Sequence, residues 1–309
     1  MTVRFAFVAD PQIGCMATFS GSDEAACERF RRRGMRVRPF AETTSIGWDT
    51  DRWTDTVEAV AAHRPDFVVV GGDMVESIDR PDQLDVYRGA IASLDGVQVH
   101  HVPGNHDICS DKVIPTEESL EWYCDTFGDP HLSFTRDCGS GSTATFIVVN
   151  SPALQQPRRI PGVDDAELAF LEAELRAAGG RRGPIVVFSH HPPFLDRPDE
   201  RDQYWNLPTG TRHQVLELCA EHGVSAIFAG HRHRNDRAAH GGTEIVTSSA
   251  SGFPLGVDPP GYRMVEVDGD GVRHTYYGLD RPGWDAIGGA PTAQEVPPGT
   301  QRGGQGGGP

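Results

Sequence analysis

Five short apolar runs in this sequence each lead into residue types that can bind metal ions. The runs cover residues 5–8, 67–70, 97–102, 185–188 and 226–228. In the same order, the motifs that follow them are Asp10-Pro11-Gln12, Gly71-Gly72-Asp73, Gly104-Asn105-His106-Asp107, Ser189-His190 and His231-Arg232-His233. Short continuous apolar runs bounded by turn residues are typical of buried strands. Because ligands of open α/β sheets collect outside the carboxyl ends of the strands, we expect one metal-centred active site.

The oxygen donors at these strand ends are carboxylates and an amide. Asp10 and Asp73 can be anionic ligands, although an Asp in such a place can equally cap the following turn. Asn105 offers a neutral amide oxygen or, alternatively, forms a turn. Divalent ions that act on phosphate esters use ligands of this kind, in pairs roughly 3.5 to 4 Å apart.

The nitrogen donors are three histidines, His190, His231 and His233. The i, i+2 spacing of His231 and His233 directs both side chains to one face if the strand continues through them. His191 should point away from the side to which His190 points. Three neighbouring histidines, His100, His101 and His191, are therefore candidates for supporting contacts only.

Composition limits the class of protein and its partners. The 309 residues are 38% hydrophobic and 23% charged, which fits a globular protein, and the even spread of the strand ends favours one domain over residues 1–284. Residues 285–309 are rich in Gly and Pro and are predicted to be a disordered tail. A net charge of -16 argues against a nucleic-acid partner, but it allows a small phosphate because bound cations can dominate the local field.

No leader or membrane segment is expected. The first predicted strand begins after two residues, and no apolar run approaches the roughly 20 residues of a membrane span. The six cysteines show no C-x-x-C pair or framework spacing. We therefore expect reduced thiols and a cytoplasmic location.

The order of the predicted elements favours two packed sheets over a barrel. Strands and helices alternate as far as residue 128, two consecutive strands follow, and only strands are predicted beyond residue 240. A barrel of eight βα repeats would keep alternating to its end. Asp164 with Glu167 resembles a capping box at the start of one helix. We expect an α/β fold with two mixed sheets face to face and helices outside.

An arginine-rich segment lies between the first strand and the first predicted helix, in a stretch over residues 15–50 with little periodicity. It contains Arg29, Arg31, Arg32, Arg33, Arg36 and Arg38. Such a cluster near a phosphate site can hold a substrate anion by bidentate contacts. The alternative is a solvated surface that balances the charge of an acidic protein.

Together the strand-end motifs resemble those of a known family. Asp10-x-Gln12, Gly72-Asp73-x-x-Glu76, Gly104-Asn105-His106-Asp107, Ser189-His190 and Gly230-His231-Arg232-His233 match, in order and spacing, the calcineurin-like metallophosphoesterase pattern. Ala9-Asp10-Pro11-Gln12, Tyr204-Trp205-Asn206-Leu207 and Gly230-His231-Arg232-His233-Arg234-Asn235 resemble the calcineurin-like phosphoesterase domain-containing protein 1 branch, described as serine/threonine protein phosphatases. The resemblance covers residues 3 to about 280.

This resemblance implies a four-layer αββα sandwich that holds two divalent metal ions, Mn, Fe or Zn. It assigns one metal to Asp10, Gln12 and His233, the other to Asn105, His190 and His231, and makes Asp73 the bridge between them. It makes His106, oriented by Asp107, the general acid for the leaving oxygen or the group that stabilises the pentavalent state, with a metal-bound hydroxide attacking phosphorus in line.

Two positions depart from the broad family pattern. Gln12 stands where most members have His, so that metal site can bind loosely or prefer a harder ion such as Mn²⁺. Glu76 replaces an Asp and keeps its charge. The resemblance predicts a phosphomonoesterase acting on phosphoserine or phosphothreonine proteins or on a small phosphate ester. The alternatives are a phosphodiesterase, for example of cyclic nucleotides, and a non-catalytic binding scaffold with the same fold.

Overall fold

The computed structural model describes residues 1–37, 39, 41–109 and 114–279. Within them the strands are β1 Val3–Val8, β2 Phe67–Val70, β3 Gln98–His101, β4 Leu132–Gly139, β5 Ser142–Val148, β6 Ile185–Phe188, β7 Ala226–Ala229, β8 Asp236–His240, β9 Thr243–Thr247, β10 Gly261–Asp268 and β11 Gly271–Gly278. The helices are α1 Cys15–Thr18, α2 Glu24–Arg32, α3 Gly47–Ala62, α4 Pro81–Ile91, α5 Asn105–Ile108, α6 Glu117–Phe127, α7 Ser151–Gln155, α8 Val163–Ala178 and α9 Thr209–Glu221. Each of the five apolar runs forms a strand.

The strands form two mixed sheets. The first has the order β11-β10-β1-β2-β3, in which β1, β2 and β3 are parallel and β10 and β11 are antiparallel to their neighbours. The second has the order β4-β5-β6-β7-β9-β8, with four parallel strands at its centre and an antiparallel strand at each edge. Parallel neighbours need crossover connections, which place helices on the outer faces.

Phenylalanine rings fill the space between the two sheets. Phe5 stacks on Phe67 at a centroid distance of 4.9 Å, and both belong to the first sheet. Phe5 also meets Phe146 and Phe188 of the second sheet edge-on at 5.7 and 5.4 Å. All four rings are buried, and each contributes about 1.5–3 kcal/mol to stability. This packing fixes the two sets of strand ends relative to each other.

Helices cover the outer face of each sheet. On the first sheet, α3 and α4 pack through Trp53 and Tyr87, whose rings stack at 5.2 Å. On the second, α8 and α9 pack through Leu171 and Val215. The predicted αββα sandwich is therefore confirmed. No described helix is both long and apolar enough to cross a bilayer.

Two local predictions differ from the structure. The stretch predicted to be irregular contains α1 and α2, and Asp23 caps α2 by accepting a hydrogen bond from the amide of Ala26 at 2.7 Å. The capping box predicted at Asp164 is wrong, because α8 begins at Val163 and Glu167 instead accepts from the amide of Asn150 at 2.8 Å. The predicted tail, residues 285–309, lies outside the described residues.

Candidate metal centre

Sharp turns follow the strands that lead into the site. Five predicted ligands, Asp10, Gln12, Asp73, His231 and His233, have positive φ angles of 48, 38, 54, 67 and 49°. This backbone region is strained for residues with a Cβ atom, and such strain concentrates at functional sites. The strand does not continue through His231 and His233, because β7 ends at Ala229. The turns, rather than strand pleating, aim these side chains.

Asp10 joins the end of β1 to the loop after β7. Its carboxylate accepts the backbone amide of His231 with both oxygens at 3.0 Å, and Nε2 of His233 lies 3.4 Å from Oδ1. Nδ1 of His233 lies 2.6 Å from the carbonyl oxygen of Phe253. Because a carbonyl only accepts, Nδ1 carries the proton, and Nε2 is left as a possible metal ligand.

Asp73 connects the end of β2 to ligands from two other loops. Its Oδ2 lies 3.2 Å from Nε2 of His190, and its Oδ1 accepts the amide of His106 at 2.8 Å. Nε2 of His190 is also 3.1 Å from Oδ1 of Asn105, while Nδ1 lies 2.9 Å from the carbonyl oxygen of Gly71. The carbonyl fixes the proton on Nδ1, so Nε2 faces the two oxygen donors.

Two groups of three side chains could each hold a cation: Asp10, Asp73 and His233 form one, and His190, His191 and His231 form the other. Within each group the ligand atoms lie within 4.8 Å of one another. The structure also leaves Oε1 of Gln12 buried with no hydrogen-bond partner. A buried lone acceptor is costly, and a hard cation beside it would satisfy it. The residues present therefore fit divalent metal ions.

Glycines beside the ligands leave room for the carboxylates. A Cβ atom on Gly104 would lie 2.1 Å from Oδ1 of Asp73, and one on Gly230 would lie 2.6 Å from Oδ2 of Asp10. Both distances are far below van der Waals contact. Any larger residue at either position would displace a predicted metal ligand.

His106 contacts Glu76 and Gln12. Its Nδ1 lies 2.9 Å from the carbonyl oxygen of Glu76 and 3.3 Å from that residue's carboxylate, and its Nε2 lies 3.0 Å from Nε2 of Gln12. Gln12 in turn donates to the carboxylate of Glu76 at 2.7 Å. Both ring nitrogens of His106 are thus oriented by residues other than Asp107.

The role predicted for Asp107 as the partner of His106 is therefore corrected. The carboxylate of Asp107 accepts the backbone amides of Asp73 at 2.7 Å, Met74 at 2.9 Å and Gly104 at 2.9 Å. Those amides belong to the loops after β2 and β3. Since three amides already surround it, Asp107 holds these two loops together rather than the imidazole.

The buried charges shift one another. Burial raises the pKa of Asp73, but the charges of His190 and His106 outweigh it and leave that pKa well below its ordinary value. Burial lowers the pKa of His190, but the carboxylate of Asp73 reverses this effect and raises the pKa to about 9. Burial, followed by the charge of Asp73, raises the pKa of Asp107 to about 7. A divalent cation that binds here would therefore have to compete with protons on these side chains.

The three neighbouring histidines behave differently from one another. His191 was predicted to point away, but its ring lies 4.3 Å from that of His231, and its Nδ1 lies 3.1 Å from Oγ of Ser151. His100 and His101 do not belong to the site, because they pack against aromatic rings, with His100 stacked on Phe134 at 4.1 Å. Burial is the main cause that lowers the pKa of both to about 4.

Sequence reasoning missed two supporting residues. Oγ of Ser151 accepts the amides of His190 and His191 at 3.0 and 2.9 Å. The hydroxyl of Tyr204 accepts from Nδ2 of Asn105 at 3.2 Å, which leaves the Asn105 carbonyl facing the site. Tyr204 stands in one of the sequence blocks that carry the family resemblance, whereas Ser151 has no such signal.

A cavity of about 770 Å³ opens at these residues. Gln12, Asp73 and His106 lie in it together with Tyr204 and Trp205. It is larger than a phosphate group requires, so it can accept part of the molecule to which a phosphate is attached.

The fold and the site define the class of protein as a metal-dependent phosphoesterase. The chain belongs to the calcineurin-like phosphoesterase family, whose model matches residues 3–235, and it is a phosphoric ester hydrolase. It is 34% identical over 280 residues to the serine/threonine-protein phosphatase CPPED1 of Bos taurus, covering 88% of this chain and 82% of that protein. It is 30% identical over 287 residues to CPPED1 of Pongo abelii, covering 89% of this chain and 83% of that protein.

The fold is also similar to that of a solved dimetal phosphatase from Danio rerio, with a TM-score of 0.55 at 17% identity, covering 88% of this chain and 98% of that one. The family and branch expected from the sequence are confirmed.

Proposed function

We propose that this protein is a dinuclear metal-dependent phosphomonoesterase that acts on phosphoserine or phosphothreonine in proteins. The observation that carries the proposal is the placement of Asp73, whose carboxylate lies in one candidate metal group and 3.2 Å from a histidine of the other. A carboxylate between two groups of ligands is the arrangement that two-metal phosphatases need.

Seven residues would hold the metals. Asp10, Gln12 and His233 would bind the first ion, Asn105, His190 and His231 the second, and Asp73 both. His191 is close enough to the second group to support it. When bound, the two cations would supply a nucleophile from water near neutral pH and neutralise the phosphoryl oxygens.

His106 would donate a proton to the leaving oxygen. It lies in the cavity beside Asp73, and Glu76 holds its Nδ1 through a carbonyl at 2.9 Å. The carboxylate of Glu76 lies 3.3 Å from the same nitrogen. The other ring nitrogen, Nε2, accepts from Gln12 in this structure and is the atom that would carry the donated proton. These contacts give the site a general acid with a fixed orientation.

The substrate class comes from the relatives. Proteins at 30% and 34% identity over most of this chain are named serine/threonine-protein phosphatases. A cavity of about 770 Å³ has room for a phosphorylated side chain together with neighbouring atoms of its peptide. A phosphodiesterase and a non-catalytic scaffold remain as outcomes of the test.

The test compares para-nitrophenyl phosphate with its bis-ester. Protein stripped with a chelator is re-supplied with Mn²⁺, Fe²⁺, Zn²⁺ or Mg²⁺ in turn, and the rates with both esters are measured. The proposal predicts metal-dependent turnover with a preference for the monoester, followed by release of phosphate from phosphoserine peptides. Preference for the bis-ester would replace it with a phosphodiesterase, and no turnover with any metal would favour a scaffold.

A further inference from the structure

Arginines from two separate segments line the same cavity as the metal centre. Arg32 and Arg33 stand at the end of α2, and Arg201 lies in the loop between β6 and α9. All three are exposed, and they share the cavity with Asp73 and His106. The mouth of the cavity therefore carries positive charge from both segments.

The segment that carries Arg32 and Arg33 is packed in place. Phe19, which precedes α2, stacks on Phe253 at 5.0 Å and meets Phe30 of α2 edge-on at 5.2 Å. Beyond the helix, the amide of Arg36 donates to the carbonyl of Leu255 at 2.8 Å. Phe253 and Leu255 belong to the loop whose carbonyl orients His233. The backbone that carries Arg32 and Arg33 is thus anchored beside the metal centre.

The arginines of this segment differ in their partners. Arg31 forms ion pairs with Glu24 and Glu28, and Arg32 lies 3.5 Å from Glu28 while its side chain remains 76% exposed. Within the described part of the chain, the side chains of Arg33 and Arg201 have no hydrogen bond or ion pair. Because Arg33 and Arg201 also line the cavity, their unpaired guanidinium groups are available to an anion that enters it. This favours the anion-binding alternative for the segment.

We propose that Arg33 and Arg201, with Arg32, form a second anion subsite that selects phosphopeptides with an acidic residue next to the phosphorylated one. The inference rests on the proposed phosphatase function and adds a substrate class to it. A guanidinium group binds a carboxylate through two parallel hydrogen bonds, which suits Asp, Glu or a second phosphorylated side chain. The rings of Tyr204 and Trp205, in the same cavity, offer apolar contacts for the intervening peptide.

The experiment uses two phosphoserine peptides of equal length that differ only in their flanking residues, Asp and Glu in one and Asn and Gln in the other. The ratio of their kcat/KM values is measured for the metal-loaded wild-type protein and for the variant Arg33→Ala with Arg201→Ala. The matched control is Arg29→Ala, which removes an exposed positive charge from the same helix at a position outside the cavity lining. Binding of both peptides is also measured by fluorescence anisotropy.

The wild-type protein should prefer the acidic peptide by roughly fivefold, as for a few exposed charge pairs, and raised salt should reduce the preference. The double variant should bring the ratio close to one, while Arg29→Ala keeps the wild-type ratio. A wild-type ratio of one, or a preference that survives in the double variant, would overturn the subsite. Faster hydrolysis of a small bisphosphate than of either peptide would instead overturn the assignment of a peptide substrate.

Failure of the phosphatase function gives a different result. If the wild-type protein does not hydrolyse para-nitrophenyl phosphate, the proposed function is wrong. Peptide binding, measured by fluorescence anisotropy, then tests the anion subsite independently of activity. Weaker binding of the acidic peptide by the double variant, but not by Arg29→Ala, would support the subsite. Equal binding by all three proteins would overturn it.

Discussion

The amide nitrogen of Gln12 lies 3.0 Å from Nε2 of His106, so a predicted metal ligand and the predicted general acid are in direct contact. An amide nitrogen only donates, and Nε2 of His106 therefore accepts in this arrangement. The other amide atom of Gln12, Oε1, is buried without a partner. Gln12 can thus bind a cation with its oxygen and position the imidazole with its nitrogen, which a histidine at this place could not do in the same way.

Replacing His106 should slow chemistry without removing metal. His106→Asn should lower kcat by roughly 10²–10⁴-fold for alkyl phosphates, whose leaving groups need a proton, because it removes the general acid. The loss should be clearly smaller for para-nitrophenyl phosphate, whose leaving group departs as an anion. Equal losses for both esters, with metal content unchanged, would contradict the acid role and leave His106 as a binding residue.

Replacing Asp73 should remove metal. Asp73→Asn takes away the charge that both candidate groups share, so we expect bound metal to fall below one ion per chain after dialysis and activity to be lost. Metal per chain is measured by elemental analysis, with Asp66→Asn as a surface control. The bridging role would be refuted by a variant that keeps the wild-type metal content.

Replacing Asp107 should lower the stability of the fold and should not act directly on proton transfer by His106. Its carboxylate accepts three backbone amides, and the amide group in Asp107→Asn cannot accept all of them. The free energy of unfolding should fall by about 1–3 kcal/mol, which is the cost of leaving a buried hydrogen-bonding group unsatisfied. Urea denaturation of the metal-free protein measures the change, and an unaltered midpoint would show that these bonds are not needed.

Metal affinity should rise with pH. The pKa of His190, raised to about 9 by Asp73 against the effect of burial, keeps a proton on a predicted ligand at neutral pH. Binding must displace that proton, so the apparent affinity for Mn²⁺ should increase up to about pH 9 and then level off. Calorimetry in buffers of different ionisation enthalpy should detect the released proton at pH 7.5. Affinity that is independent of pH would contradict this.

The pairing of His190 with Asp73 should also make the metal-free protein less stable at alkaline pH. A histidine whose pKa is raised on folding contributes stability that is complete below the unfolded pKa of about 6.5 and lost as pH rises through the folded value. For His190 the loss should occur between about pH 6.5 and about 9. Thermal unfolding with a chelator present measures it, and His190→Asn should flatten the pH dependence over that range.

The sequence predicted the layers and the position of the site because both depend on short-range patterns. Buried strands appear as apolar runs, and polar residues directly after them must lie at one end of the sheets. The order of strands and helices along the chain predicted two sheets face to face with helices outside, and the family resemblance implied the αββα sandwich. The same reasoning brought Asp10, Asp73 and His190 to one place, although they are far apart in the chain.

The partners of individual side chains could not be predicted in the same way. The pairing of His106 with Glu76, and of Asp107 with three amides, depends on turns whose φ angles the sequence pattern does not specify. His191 was placed on the wrong side because strand alternation does not apply once β6 has ended at Phe188. Contacts across loops, such as Tyr204 with Asn105, arise only when the whole chain has folded.

The most direct test of the dinuclear account is a metal titration of the chelator-stripped protein followed by two readings, ions bound per chain and turnover of para-nitrophenyl phosphate. The account predicts that activity appears as the second equivalent binds and that the monoester is preferred to the bis-ester. Full activity with a single bound ion, or two bound ions with turnover of the bis-ester alone, would contradict it.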